Sequence, residues 1–183
     1  MNPTTSLSHI ALVHDSGQKV PVSELGDSHG LTAGSAKMYD RFFGLQSVLR
    51  QQGDQTQMLA SVLGDAVARL PDGGQKSGVL VYCKTQTHNT RSDQNWLRRL
   101  ADGQGLAHWE VQALSMTSCA SALVCLHFVR ACADTSPVIV LTGEKAFHPS
   151  VARLTVGLLA EVPAAALLNG APDPYAWQLR ATD

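Results

Sequence analysis

The chain has 183 residues, 44% hydrophobic and 16% charged, which is enough apolar mass for one globular domain with its own core. Its 14 Lys and Arg nearly balance 15 Asp and Glu, giving a formal charge of −1. Neither a basic stripe nor a polybasic run is present, which argues against nucleic acid or an anionic membrane as partner.

No apolar stretch reaches the length of a membrane span, and Met1 to Ser8 lacks the basic and apolar parts of a signal peptide. The four cysteines, Cys83, Cys119, Cys125 and Cys132, have neither CxxC nor Cys/His zinc spacing. Reduced thiols in a cytoplasmic protein are therefore expected, with no metal site.

In chain order, Ser8 to His14 reads as a short strand. Asp15 to Gly34 is polar and glycine-bearing, a loop with a brief strand at Lys19–Val22, so residues 1–35 are expected to be partly irregular. Ala36 to Leu45 gathers Met38, Tyr39, Phe42, Phe43 and Leu45, with helical spacing at its start. From Thr56 to Leu70 the apolar positions recur at three- and four-residue intervals, an amphipathic helix closed by Pro71-Asp72-Gly73-Gly74.

Gly78 to Cys83 is a continuous apolar run, the mark of a strand buried on both faces. Lys84 to Thr90 is a polar loop; Ser92 is placed to cap a helix through Leu100, which Asp102-Gly103-Gln104-Gly105 ends. His108 to Leu114 is the next strand, leading to Cys119 and a helix through Ala133. Pro137 to Leu141 is a further buried strand, and Ala164 to Leu168 one more. Alternation of apolar strands with helices predicts an α/β fold, a mostly parallel mixed sheet of about five strands with flanking helices.

Cys119 sits at the join of strand and helix, in Leu114-Ser115-Met116-Thr117-Ser118-Cys119-Ala120-Ser121. There the first-turn N–H groups and the helix dipole favour a thiolate, and small neighbours let a substrate carbonyl approach. This is the layout of a nucleophile at an elbow. The competing reading is a buried structural cysteine.

Three segments carry a resemblance. The strand Val79–Cys83 ends in Thr85-Gln86-Thr87-His88. The stretch from Ala113 to Ala122 holds a small-residue turn around the cysteine. Val138 to Glu144 gives a strand with a Gly-Glu ending. From about Lys37 to Leu168 the chain resembles the N-terminal half of the thiolase fold, as in the ketoacyl-acyl-carrier-protein synthase III family. The resemblance implies a single half-thiolase domain over residues 1–183. It also implies a cysteine, Cys119, that accepts an acyl group from a coenzyme A or acyl-carrier-protein thioester, with no permanently bound cofactor.

Complete synthases of this family have a second half supplying a histidine and an asparagine, and the chain ends at Asp183, before such a half begins. The glycine-rich turn of the family reads Ala160-Glu161-Val162-Pro163 here. The aromatic-plus-arginine segment that grips coenzyme A in some relatives is blurred, around Tyr39, Arg41 and Gly44.

The helix after Cys119, Ala-Ser-Ala-Leu-Val-Cys-Leu-His-Phe-Val-Arg-Ala-Cys-Ala, is apolar or small on every face. Such a helix must be buried all round, and one sheet covers one side only. The expected remedy is an oligomer, either with a second thiolase-like subunit or with another copy of the chain. Burial under the N-terminal segment Met1–Gly34 is the alternative.

For a base, His88 comes first, in the loop at the carboxyl end of a strand beside the cysteine strand, where open α/β sheets place their sites. His148 is second, and Glu144 could orient a histidine or act itself. His127, eight residues after Cys119, is expected to be a hydrogen-bonded core residue. His9, His14, His29 and His108 show no constellation. Cys83, Cys125 and Cys132 are expected to pack. Trp177 and Tyr175, between prolines, suggest a terminal segment that docks.

The function expected is that of a partner-dependent acyltransferase or ketoacyl-synthase-like subunit. The alternative is a non-catalytic thiolase-like subunit that stabilises a partner enzyme. A small cysteine hydrolase ranks below both, because too few strands precede Cys119.

Overall fold

In the computed structural model, the described residues are 5–13, 17–85, 95–115, 117–131, 136–147, 153–154, 157–170 and 177–179. In chain order they form β1 (Thr5–Leu12), β2 (Gln18–Pro21), a short helix α1 (Gly26–His29), α2 (Ala33–Phe43) and β3 (Ser47–Arg50). Next come α3 (Gln55–Ala68), β4 (Val79–Cys83), α4 (Trp96–Gly103), β5 (Glu110–Leu114) and α5 (Ser121–Ala131). Then follow β6 (Val138–Thr142), β7 (Arg153–Leu154), β8 (Gly157–Leu158), β9 (Ala164–Leu168) and β10 (Trp177–Leu179).

The chain divides into two compact units. The first comprises residues 1–12, 59–143 and 163–183, and the second residues 13–58 and 144–162.

In the first unit, six strands make one sheet in the order β10-β1-β9-β6-β4-β5. β4 pairs in parallel with both β5 and β6. β9 runs antiparallel to β6 and β1, and β10 antiparallel to β1. Four strands thus point one way and two the other, so the sheet is mixed, as expected, with two parallel and three antiparallel pairings. The sixth strand is β10: the Trp177 segment docks, as its composition suggested, and does so on β1 of its own sheet.

β4 and β6 are buried almost throughout, which is why both read as unbroken apolar runs. On one face Val81, Cys83, Val138 and Val140 pack with Cys125 of α5. Strand alternation sends Tyr82 to the other face, where its ring meets Trp96 of α4 edge-on at 5.0 Å. Gly78 leads into β4 where nothing larger fits: a Cβ there would lie 2.6 Å from Pro137 O and 2.8 Å from the Trp109 ring.

Local chemistry moves several expected boundaries. Strand β5 starts at Glu110 because Trp109 N still donates to Leu106 O at 3.0 Å, closing a turn. Helix α4 starts at Trp96 after Asn95, while Ser92 lies outside the described residues, as does His14 of the first strand. Asp54 and Gln57 cap α3 reciprocally, each side chain accepting the other's backbone N–H at 2.8 and 2.9 Å.

The second unit pairs β2 with β3 antiparallel around Val22, Leu25, Leu31, Tyr39 and Val48. Thr32 caps α2 by accepting from Ser35 N, and Gly44 ends the helix at φ +62°, a conformation that glycine adopts without strain. β7 and β8 form a small antiparallel pair.

Candidate active site

The parallel register sets Cys83 of β4 beside Leu114 of β5, and Lys84 N donates to Leu114 O at 3.0 Å as both strands end. Beyond Leu114 the chain turns through a single 3-10 turn, Ser118–Ala120, before α5 begins at Ser121. Cys119 therefore stands two residues ahead of the α-helix rather than within its first turn. Its side chain is exposed and carries no disulfide.

A short hydrogen-bond chain holds the turn. Thr117 Oγ1 donates to Ser121 Oγ, and Ser121 Oγ donates to Lys84 O, each at 3.3 Å. Ser121 is buried, so these bonds tie the start of α5 to the end of β4. The sequence of small and hydroxylated residues thus builds a fixed elbow with an accessible thiol at its crest.

Helix α5 has two unlike faces. Ser121 and Cys125 are buried, with Ala122, Leu126 and Val129 packed beside them. Leu123 and Phe128 are 69% and 56% exposed, and His127 is exposed with them. His127 is thus not the core residue expected, because the inward stripe of the helix runs through Cys125 and leaves His127 on the outer side.

Residues 5–12, from the segment considered as a cover, are instead strand β1 of the sheet. Cys83 and Cys125 pack as expected. Their mutual hydrogen bond, followed by burial, pushes the Cys83 thiol up, so it stays protonated. Cys132 lies outside the described residues.

Of the other expected site residues, His88 and His148 lie outside the described residues. Glu144 follows Gly143 (φ +122°) in the extended link leaving β6 and belongs to the second unit, whereas Cys119 belongs to the first. Among the described residues no three His, Cys, Asp or Glu side chains gather as a metal site. No helix among them is long and apolar enough to cross a membrane.

One cluster went unread in the sequence. Glu161 is wholly buried and accepts from Gln51 N at 2.7 Å, Ala146 N at 2.8 Å and Lys145 Nζ at 2.6 Å. Lys145 also donates to Gln51 O at 2.7 Å. His29 is buried as well: its ring meets Phe147 edge-on at 4.9 Å, and Nδ1 lies 2.8 Å from Ser28 Oγ. The available signal was a single charge, Glu161, inside the otherwise apolar run Leu158 to Leu168.

No protein-family model and no curated protein matches the chain. Solved structures do. ChlB3, described as an acyltransferase, is 17% identical with a TM-score of 0.63, over 91% of this chain and 50% of that one. A 3-oxoacyl-(acyl-carrier protein) synthase from Burkholderia xenovorans is 14% identical with a TM-score of 0.63, over 93% and 49%. The HMG synthase of the curacin biosynthetic pathway, in complex with its holo donor acyl carrier protein, is 12% identical with a TM-score of 0.63, over 92% and 42%. The chain spans about half the length of these structures. Its fold is half of a thiolase-like α/β architecture.

Proposed function

We propose that this chain is the cysteine-bearing half of a thiolase-fold acyltransferase or ketoacyl-synthase-like enzyme. The observation that carries the reading is an exposed, unbridged Cys119 at the elbow between β5 and α5 of a half-thiolase fold.

In this reading Cys119 Sγ, having given up its proton to a base, attacks the carbonyl carbon of an acyl thioester. The carbonyl π electrons move onto oxygen, and the Cys119 backbone N–H is the candidate donor to that oxyanion. Collapse breaks the old C–S bond, and the departing coenzyme A or carrier-protein thiolate takes up the proton. The acyl group then rests on Cys119 until an acceptor nucleophile removes it.

His88, His148 and Glu144 are the candidate bases within the chain. A second thiolase-like subunit, or another copy of this chain, completes the site by docking on the apolar face of α5 around Leu123 and Phe128. Those two side chains are unsheltered in the single chain, and each contributes about 1.5–3 kcal/mol when fully buried. The carrier-protein complex of the curacin synthase is compatible with an acyl carrier protein as acyl donor here. No permanent cofactor enters the scheme, and the reduced thiol suits a cytoplasmic setting.

The test is intact-protein mass spectrometry after incubation with a series of acyl-coenzyme A and acyl-carrier-protein thioesters, with any co-purifying subunit retained. A hydroxylamine-sensitive acyl adduct is expected on the native chain and absent from Cys119→Ala. An adduct that survives the substitution ends the proposal.

A further inference from the structure

The second unit contains a half-open cavity of about 420 Å³, lined among others by Gln18, Arg50, Gln52, Lys145, Phe147 and Glu161. Its size falls within the range of small-molecule sites, roughly 300–1,000 Å³. The charges do not cancel. Glu161 is matched by Lys145 at 2.6 Å and by the N–H groups of Gln51 and Ala146, so its carboxylate is already committed. Arg50 remains. Its guanidinium lies 4.9 Å from the centre of the Phe147 ring, and among the described residues no carboxylate pairs with it.

A cation would find no uncommitted carboxylate in this cavity, and a fully apolar ligand would strip water from Arg50 and the glutamine amides without replacement. An oxyanion meets neither obstacle. The guanidinium offers paired N–H donors in a plane, a geometry that suits carboxylate and phosphate oxygens, and stacking on Phe147 limits the motion of that plane. Gln18 and Gln52 provide amide donors at the same cavity, and Phe147 provides an apolar wall.

We propose that this cavity is a binding site for a small oxyanion-bearing molecule, anchored by Arg50. The inference rests on nothing in the Cys119 reading. Either can fail alone, because one is read by covalent mass and the other by reversible binding.

The experiment is an amide-resolved NMR titration of the full chain with sodium phosphate and, separately, with sodium succinate, against potassium chloride at matched ionic strength. Saturable shifts at the amides of Gly53 and Phe147 are expected with at least one anion and not with chloride. Saturation by phosphate alone assigns a phosphate ligand, by succinate alone a carboxylate, and by both an oxyanion site of broad choice. Arg50→Gln is expected to weaken binding roughly tenfold or more. Gln18→Glu, which adds a negative charge to the exposed rim without touching Arg50, is expected to weaken it as well. Absence of saturable shifts with both anions, or affinity unchanged in both variants, overturns the proposal.

Discussion

Lys145 donates from Nζ to Glu161 Oε2 at 2.6 Å, and the carboxylate that receives it is wholly buried. A buried carboxylate is tolerated only when its charge and lone pairs are answered, and here one ammonium and the N–H groups of Gln51 and Ala146 answer them. Glu161→Ala leaves the N–H groups of Gln51 and Ala146 without their acceptor and the Lys145 charge without its counter-ion, its bond to Gln51 O remaining. It is expected to lower unfolding free energy by about 3–5 kcal/mol in urea titrations. The double variant Lys145→Met/Glu161→Leu should lose less than Glu161→Ala alone. A loss in the double variant equal to or above that of the single one contradicts this account.

His29 gives the fold a pH dependence. Burial holds its imidazole below the ordinary value of 6.5, only partly offset by the Leu159 backbone and the Glu161 charge. Below that value the unfolded chain binds a proton that the folded chain resists, so the unfolded state gains. The His29 contribution is intact above pH 6.5 and declines as pH falls beneath it. Urea midpoints measured at about pH 7.5 and about pH 5.5 should diverge more for the native chain than for His29→Asn. Equal divergence would remove His29 from the explanation.

Gly78 is required by space rather than by backbone angle. Gly78→Ala drives a methyl group into Pro137 O and the Trp109 ring, and Trp109 is itself fixed by its indole N–H donating to Gly74 O at 3.1 Å. The expected loss is about 1–3 kcal/mol, visible as a lower thermal midpoint. An unaltered midpoint would mean that the β4 entrance moves freely.

Ser121 is the hinge pin of the elbow. Ser121→Ala removes the hydrogen bond to Lys84 O and the one received from Thr117. About 1 kcal/mol of stability should go, and amide exchange should quicken around residues 117–121 before it does elsewhere. Uniform quickening across the chain would instead indicate a general loss of stability.

Leu123 and Phe128 separate folding from assembly. Both are exposed in the single chain, so Leu123→Ser with Phe128→Ser should change monomer stability little, within roughly 0.5 kcal/mol for each. On the docking role proposed above for this face, the native chain should associate in light scattering, with itself or with an added partner subunit, and the same pair should abolish that association. Retained assembly would direct attention to another surface.

Reading from the sequence went furthest where one element carries its own signal. Val79–Cys83 and the stretch from Val138 to Leu141 are apolar without interruption, the composition that a strand covered on both faces favours. The exposed outer face of α5 was legible for a related reason, since a helix apolar all round has more greasy surface than one sheet can hide. The Cys119 elbow was legible as a strand, a run of small residues and a helix. What could not be read was the exact start of α5, because a 3-10 turn and an α-turn have nearly the same local composition.

Tertiary structure alone decided the rest. The carboxylate of Glu161 and its donors at Gln51 and Ala146 come from separate parts of the chain, as do Arg50 and the Phe147 ring on which it stacks. No local pattern encodes a meeting between distant segments. His127 turned outward for the same kind of reason: which stripe of an apolar helix faces the sheet depends on what the sheet presents, and here Val81 and Cys83 of β4 and Val138 and Val140 of β6 pack with Cys125. Sequence by itself determined the strands β4, β5, β6 and β9, the longer helices and which thiol stands at a turn, because period and composition act within a few residues. The short elements α1, β3, β7, β8 and β10 carry too few residues for a period to show. Partners, charges answered and faces left open were settled only when those segments packed, because such interactions depend on distances through space.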